Sequence, residues 1–406
     1  MIYLFELGRI RNLSLAELNS LLGEENLVEV IDQFALYNLK KPLEDPQAFQ
    51  DRLGGTIRMA QVVDSFPLKS AKTKSKIEQA LEHILTDHFK GRSGKIPFAI
   101  TAINVPDRSY IFLKFFLNFS KKILKSLGFN SRFVNKPWSN PTSAQIYKSH
   151  SVDKGIDLTI IASGTSTNGD RTASDTLYIA KTLSIQNIDR YSYRDYYKPF
   201  RDPRMGMLPP KLAQIMINLA GDSLNTIYDP FCGSGTILME AMLQQRNVIG
   251  SDIDEKAVEG TLANLCWLVG NFDNTTKEFA IFKKDAREIK LKDLPETPDA
   301  IITETHLGPP VNRIPKEENL KKTFENLTDL HANWLSRIAE IIPPKSKTKI
   351  VLCLPAFRES KNHYIRFPNF QEIAKHADLR IVNKESLIYD RPDQIVAREI
   401  VVLEKA

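Results

Sequence analysis

The stretch Tyr228–Ala241, YDPFCGSGTILMEA, decides the fold class of this 406-residue chain. A β-rich run, TIYDP, carries an acid, Asp229, at its end. Gly233 and Gly235 then form a turn where a ligand can touch backbone, and Thr236 opens a helix whose free N–H groups face the same crevice. The spacing is not the dinucleotide pattern G-x-G-x-x-G, and no Lys-Ser/Thr pair follows as in a Walker loop. An acid just ahead of the glycines suits a cationic amino group. In SDID, Asp252 stands at the end of the next strand, where a carboxylate accepts both hydroxyls of a ribose. Asp285 in KKDAREI ends a third strand, where it suits an exocyclic adenine amine. Three carboxylates at successive strand ends fit a nucleoside with an amino-acid tail, and S-adenosylmethionine (SAM) is such a molecule. The alternatives are a glycine turn of some other α/β enzyme and solvated acids at strand ends.

Around this core the C-terminal half alternates regularly. PKLAQIMINLAG reads as a helix with proline in its first turn and Gly221 at its end. Strands TIYDP, NVIGSDI, FAIFKKD, DAIITE and KIVLCL follow, with helices between most of them and a long one around 317–341. SLIYDR and IVAREIVVLEK, joined by RPDQ, predict a closing antiparallel hairpin. The expected fold is a doubly wound, Rossmann-like α/β sheet over 206–406.

The first half reads as two smaller α/β units. In 1–63, residues 2–7 predict a strand, Ser14 and Glu17 a capping box, Val28–Leu36 a strand, and LGGTIRMAQVV a turn into a strand. In 64–185, IEQALEHILTDHF and 110–127 predict helices, the latter with Lys121, Lys122 and Lys125. Pro97–Val105, 156–161 and TLYIAKTLSIQ predict strands, and SGTSTNGDRTASD a polar, flexible loop. Residues 186–205 read as a linker. In it Tyr191, Tyr193, Tyr196 and Tyr197 alternate with Arg190, Arg194, Lys198, Arg201 and Arg204, a mixture suited to unstacked bases and phosphates. The alternative is a strap whose tyrosines pack on its neighbours.

Charge separates these regions. The chain has 55 Lys+Arg and 49 Asp+Glu, but between Asp64 and Lys211 the counts are 24 and 12, leaving 31 and 37 elsewhere. A net of +12 in one block points to a polyanion. Cys232, Cys266 and Cys353 are too scattered for a zinc site or a disulfide framework, so no metal is expected. The N-terminus lacks a basic lead and no run reaches the roughly 18 apolar residues of a membrane helix, so the expectation is a soluble, cytoplasmic protein with no membrane role.

DPFCGSGT followed by SDID resembles motifs I and II of class I SAM-dependent methyltransferases. The longer string from RDPRMGMLPPKLAQIMINLAG through YDPFCGSGTILMEA resembles the THUMP-domain tRNA guanine-N2 methyltransferases of archaea and eukaryotes, which modify guanosine ten of tRNA. The resemblance implies an N-terminal domain, a THUMP-like RNA-binding domain at 64–185, and tRNA as the partner of the basic 64–211 block. It implies SAM as cofactor, held by Asp229, Phe231, Cys232, Gly233, Gly235, Thr236, Asp252, Ile253, Asp285 and Ala286.

That family's amino-methylating loop is Asp or Asn, two prolines and an aromatic. An acceptor side chain and a backbone carbonyl hold the N–H bonds of the guanine amine and free its lone pair for in-line attack, while the aromatic stacks on the base. Here the strand end reads ITETHLGPP. Glu304 takes the acceptor position, Thr305 and His306 replace prolines or aromatic, and Pro309 and Pro310 come late. Glu304 and His306 are the expected catalytic residues, giving N2-methylguanosine in tRNA. The competing expectations are a catalytically altered or silent RNA-binding protein and a DNA amino-methyltransferase.

Overall fold

The computed structural model describes all residues except 69–72, 106–107, 165–174, 203–206, 274, 277, 345, 361–362 and 393. Most of the expected flexible loop at 163–175 and part of the expected linker therefore lie outside the described residues. The chain divides into two units. The first holds Met1–Arg11, Leu22–Asp51 and Thr56–Ile188; the second holds Asn12–Leu21, Arg52–Gly55 and Asp189–Ala406.

In chain order the first half contains β1 (Ile2–Leu7), α1 (Arg11–Leu22), β2 (Leu27–Ile31), β3 (Phe34–Asn38), α2 (Pro46–Arg52), β4 (Thr56–Pro67), α3 (Thr73–Phe89) and β5 (Lys95–Ile103). There follow α4 (Ser109–Ser126), β6 (Asn130–Phe133), α5 (Ser143–Lys148), β7 (Ile156–Ala162), β8 (Thr176–Ile185) and α6 (Ile188–Tyr196). The strands form one sheet, β2-β3-β1-β4-β8-β7-β5-β6. Its side chains alternate as a pleated sheet requires. Leu158, Ile160 and Ala162 join the core formed with α3 and α4, while Ile161 and Ala180 join a second cluster with Leu4, Phe34 and Leu36.

The expected boundary at 63/64 falls inside β4, which pairs with β8 from Arg58 to Pro67. A register shift between Val62 and Asp64 leaves Val63, Asp64 and Ser65 exposed, so the polar break marks a bulge rather than a domain edge. Arg58, only 3% exposed, ties the same sheet together. It donates to Glu6 of β1, to Asp157 of β7 at 2.5 Å and to Thr101 of β5 at 3.0 Å. Val28–Leu36 is a hairpin rather than one strand, because Asp32 takes a left-handed φ of 52° and reverses the chain.

The second unit continues with α7 (Pro210–Ala220), β9 (Thr226–Asp229), α8 (Thr236–Leu243), β10 (Asn247–Asp252), α9 (Glu255–Asn271), β11 (Phe279–Lys283), β12 (Ala300–Glu304) and α10 (Glu317–Ile341). It closes with β13 (Lys349–Ser360), β14 (His363–Arg366), α11 (Phe370–His376), β15 (Leu379–Ile381), β16 (Leu387–Tyr389) and β17 (Val396–Lys405). The sheet order is β11-β10-β9-β12-β13-β17-β15, with β14 on β13 and β16 on β17. β9 to β13 are parallel and β17 is antiparallel. This is the expected doubly wound sheet. β17 pairs chiefly with β13, and its contact with SLIYDR is only Leu387–Tyr389. Helices α10 and α11 pack on one face around Trp334, Leu335 and Phe370.

Two local expectations change. Helix α1 begins at Arg11, so Ser14 and Glu17 lie in its interior. Glu17 is buried and accepts from Gly54 N at 2.9 Å, Gly55 N at 2.8 Å and Asn218 Nδ2 at 2.7 Å, where a capping box was expected. The linker contains α6, which belongs to the second unit, and its buried Arg194 makes a two-pronged pair with Glu240 of α8 at 2.7 and 3.0 Å. Tyr193 packs on Trp267 and Phe272, as the strap reading expected on this side.

Candidate active site

Chain order reverses between β9 and β12. The chain runs outward through β10 and β11, then returns to the other side of β9. In open parallel sheets such a switch point leaves a crevice at the carboxyl ends of the strands. Asp252, Asp229 and Glu304 are the terminal residues of β10, β9 and β12, three neighbouring strands. Two of the three acids expected at strand ends, Asp229 and Asp252, thus stand in one row with Glu304, while the third, Asp285, lies two residues past the end of β11.

The glycine turn has the conformation its sequence predicts. Gly233 and Gly235 have φ of 53° and 75°, and a Cβ on Gly235 would lie 2.9 Å from Thr261 Cγ2. Both positions therefore demand glycine. Thr261 and Asn264, one turn apart on α9, clamp the turn from behind. Thr261 Oγ1 donates to Gly233 O at 2.9 Å, and Asn264 Nδ2 to Ser234 O at 2.8 Å. Lys198 Nζ donates to Thr236 Oγ1 at 3.1 Å at the opening of α8. Thr261 and Asn264 were not singled out in the sequence, and Lys198 figured there only as a linker cation suited to phosphates. The i, i+3 spacing of Thr261 and Asn264 is the one available signal.

Asp229 is 2% exposed. Its Oδ1 accepts from Phe231 N at 3.1 Å and from Thr303 Oγ1 at 2.6 Å. Burial raises its carboxyl to about 7, helped by the nearby charges of Asp252 and Glu304 and opposed by those two hydrogen bonds. Asp252 is half-buried. Backbone N–H groups of Gly233, at 2.9 Å, and Asp254, at 3.0 Å, each engage one of its oxygens. Beside it Ile253 is 60% exposed, an apolar side chain left without cover at the rim.

The remaining expected cofactor residues are more mixed. Phe231 is half-buried and packs edge-on against Trp334. Cys232 is buried, with its N–H donated to Ser251 O at 3.0 Å, and Ala286 is buried in the α10 core. Asp285 caps a short 3-10 turn and is gripped by Arg287, whose Nη2 lies 2.5 Å from Oδ2. That hydrogen bond holds Asp285 below the usual carboxylate range. The expected adenine contact therefore meets a competing cation.

At the end of β12, Glu304 Oε1 accepts from Arg398 Nε of β17. Arg398 is 5% exposed and lies inside, against the carboxylate. Burial raises the Glu304 carboxyl, and Arg398 opposes the rise. Oε2 accepts no hydrogen bond among the described residues. Thr305 is buried and donates to Cys353 O at 2.9 Å, so it serves the fold. His306 is exposed, and partial desolvation lowers its imidazole. It lines a cavity of about 940 Å³ between the loop after β12 and the first half of α10.

A model of the RMKL-like methyltransferase domain matches residues 196–371. A DNA methylase model matches 111–264 and stops before β12. The chain is similar to the tRNA (guanine(10)-N2)-dimethyltransferase of Methanothermobacter thermautotrophicus, with 35% identity over 163 residues. That match covers 39% of this chain and 45% of the relative, so the chain spans about half of its length. It is also similar to the "Probable tRNA (guanine(10)-N2)-dimethyltransferase" of Methanothermococcus thermolithotrophicus, 36% identical over 127 residues, 30% of this chain and 72% of that one. TrmN from Thermus thermophilus aligns over 100% of both chains at 16% identity and a TM-score of 0.48.

Proposed function

The chain belongs to the tRNA (guanine(10)-N2)-dimethyltransferase family, and on that premise we propose that it methylates the exocyclic N2 amine of a guanosine in tRNA, with SAM as donor. The observation that carries this reading is the row Asp252, Asp229, Glu304 on adjacent strand ends, with the left-handed glycine turn beside it. SAM fits the residues present. The glycines leave backbone approachable, Asp252 is held by two N–H groups yet half-exposed, and Ile253 offers an uncovered apolar face.

When bound, SAM supplies an electrophilic methyl group on sulfur. In the proposed arrangement Asp229 accepts from the ammonium of the methionine end and Asp252 from the ribose hydroxyls. Ile253 covers a face of adenine. Glu304 accepts an N–H of the target amine at Oε2 while Arg398 holds Oε1, and His306 borders the base. A carboxyl raised by burial is suited to taking the proton that the amine releases.

The 1–63 and 64–185 regions are proposed to grip tRNA together, the second as a THUMP-like element, through the basic 64–211 block. Lys121, Lys122 and Lys125 stand exposed on α4, in keeping with that role. No described helix is long and apolar enough to cross a membrane, and a cytoplasmic site of action follows from the proposed substrate. The test is incubation with total unmodified tRNA and labelled SAM, followed by nucleoside mass analysis. Labelled N2-methylguanosine is expected. Label in duplex DNA instead would favour the second reading, suggested by the DNA methylase match; the absence of β12 from that match weighs against it.

A further inference from the structure

Helix α6 runs out into two adjacent aromatic residues that the fold leaves uncovered. Tyr196 and Tyr197 are 64% and 68% exposed, more than any other described aromatic side chain. The Tyr197 N–H donates to Tyr193 O at 3.0 Å, so helical spacing continues to that residue. Tyr193 stands three and four residues before the pair and therefore lies between them on the helix surface. Its hydroxyl donates to Asn271 Oδ1 at 3.0 Å, and its ring packs on Trp267 of α9 at 5.4 Å. Tyr197 in turn stacks on Tyr193 at 5.2 Å and 28°. Exposure rises along this series, from half-buried Trp267 through Tyr193 to Tyr197, so the stack ends on an open ring. Neither Tyr196 nor Tyr197 spends its hydroxyl on a hydrogen bond among the described residues. The Arg201 guanidinium lies 5.3 Å over the Tyr196 ring and makes no ion pair among the described residues. The acids nearest to it in sequence are engaged elsewhere: Asp202 pairs with Lys256 at 3.0 Å, and Asp195 faces the buried Lys198 ammonium.

We propose that Tyr196 and Tyr197 form a stacking platform for unpaired nucleotides of the RNA substrate, with Arg201 on the phosphate that joins two stacked bases. This deepens the tRNA reading and rests on it. Every base has a π-face, so an aromatic ring open on one side gains by covering any of them, and a cation beside the ring meets the backbone. Bases inside a duplex hide their faces against their neighbours, so the platform selects single strands. The inner rings, held by Trp267 and Asn271, fix Tyr197 before anything binds, which lowers the cost of ordering it on binding. Charge decides between RNA and an apolar protein surface. The platform falls within the block from Asp64 to Lys211, where cations outnumber acids by 24 to 12, and its own arginine is unpaired. The tyrosine-rich segment thus serves both ends of its sequence reading: Tyr193 straps α6 to α9, and the two residues after it face outward for bases.

The test measures binding of a short single-stranded oligoadenylate, a duplex RNA of equal length and unmodified tRNA, each at several salt concentrations. Tyr196→Ala/Tyr197→Ala should weaken oligoadenylate binding by about tenfold or more at an unchanged slope of log affinity against log salt, and duplex binding by less than about twofold. Binding of tRNA should fall with that of the oligoadenylate. Tyr196→Phe/Tyr197→Phe should rescue the loss, because stacking needs the rings and not the hydroxyls. Arg201→Gln should instead lower the oligoadenylate slope by about 0.7. Thermal unfolding reports on folding. If the double alanine variant unfolds early, Tyr196→Ala, which leaves the Tyr193–Tyr197 stack intact, carries the test with a loss of about threefold or more. Alanine variants within about twofold of the intact chain on oligoadenylate, an equal loss on duplex RNA, or phenylalanine variants as weak as the alanine ones would overturn the proposal. So would an intact chain that does not bind oligoadenylate, or alanine changes that alter only self-association in light scattering, which would give the rings to a second copy of the chain. Methyl transfer is read in parallel. Tyrosine-dependent binding of single strands without methyl transfer to tRNA leaves the platform standing and removes the enzymatic reading.

Discussion

Arg398, on the last strand, donates from Nε to Oε1 of Glu304, the residue at the end of the central strand next to the glycine turn's own. An ion pair thus ties the end of β12 to the last strand. The pair holds Oε1 of the carboxylate through side-chain charge. Glu304→Gln keeps an oxygen for Arg398 but turns an NH₂ toward the amine. Methyl transfer should fall by about a hundredfold or more, while calorimetric SAM affinity stays within twofold. Wild-type turnover in this variant would remove Glu304 from the chemistry.

Arg398→Ala leaves the Glu304 carboxylate in a buried place without its cation. Loss of one partner of such a pair costs roughly 3 kcal/mol, which urea unfolding should detect as a lower midpoint at unchanged slope. Arg398→Lys keeps a charge but not the Nε geometry. It should recover most of the stability and only part of the transfer rate.

The buried carboxyls set a pH dependence. Asp229 is raised from 3.8 to about 7, and Glu17 from 4.5 to about 7, both chiefly by burial. Below about pH 4 each is protonated in folded and unfolded chains alike, and the fold keeps the full contribution. As pH climbs toward 7 the unfolded chain ionises first, so that contribution is lost as pH passes through the folded value. Stability should therefore fall between about pH 4 and pH 7, and Asp229→Asn should make the decline shallower. If Asp229 meets the ammonium of SAM, affinity for SAM should rise through pH 7 in the intact chain and stay flat in Asp229→Asn.

Asp252→Ala removes an acceptor for the ribose and also frees the Gly233 N–H that it holds at 2.9 Å. A charge-assisted hydrogen bond of this kind is worth about 1.5–3 kcal/mol, so SAM affinity should drop tenfold or more by calorimetry. An unchanged dissociation constant would remove Asp252 from the cofactor site.

In the first unit, Arg58→Ala would strand two carboxylates, Glu6 and Asp157, in the middle of the sheet. A loss of about 3–5 kcal/mol is expected. The change should appear as earlier unfolding and weaker tRNA binding, with SAM affinity preserved. Retained stability would mean that the sheet does not depend on this pair network.

How much was legible depends on the range of the signal. The glycine turn, the strand acids and the alternation after Leu208 are local patterns, and they foretold the doubly wound sheet and the Asp229–Asp252 row. The Val63–Ser65 bulge, the hairpin at Asp32 and the burial of Glu17 were misread, because polar residues at a turn, a bulge and a buried backbone site look alike in one dimension.

Backbone conformation near Tyr228–Ala241 follows from short-range chemistry: glycine for left-handed φ, apolar runs for strands, acids where strands end. Those are set within a dozen residues and are written in the chain itself. The partners of Glu304 and Glu17, separated from them by 94 residues to Arg398 and 201 to Asn218, arise only when distant strands and helices pack. Whether an acid is solvated, paired or neutralised depends on the dielectric and the charges that packing brings to it. That is why motif identity is legible in the sequence, and the state of the Glu304 carboxylate only in the folded molecule.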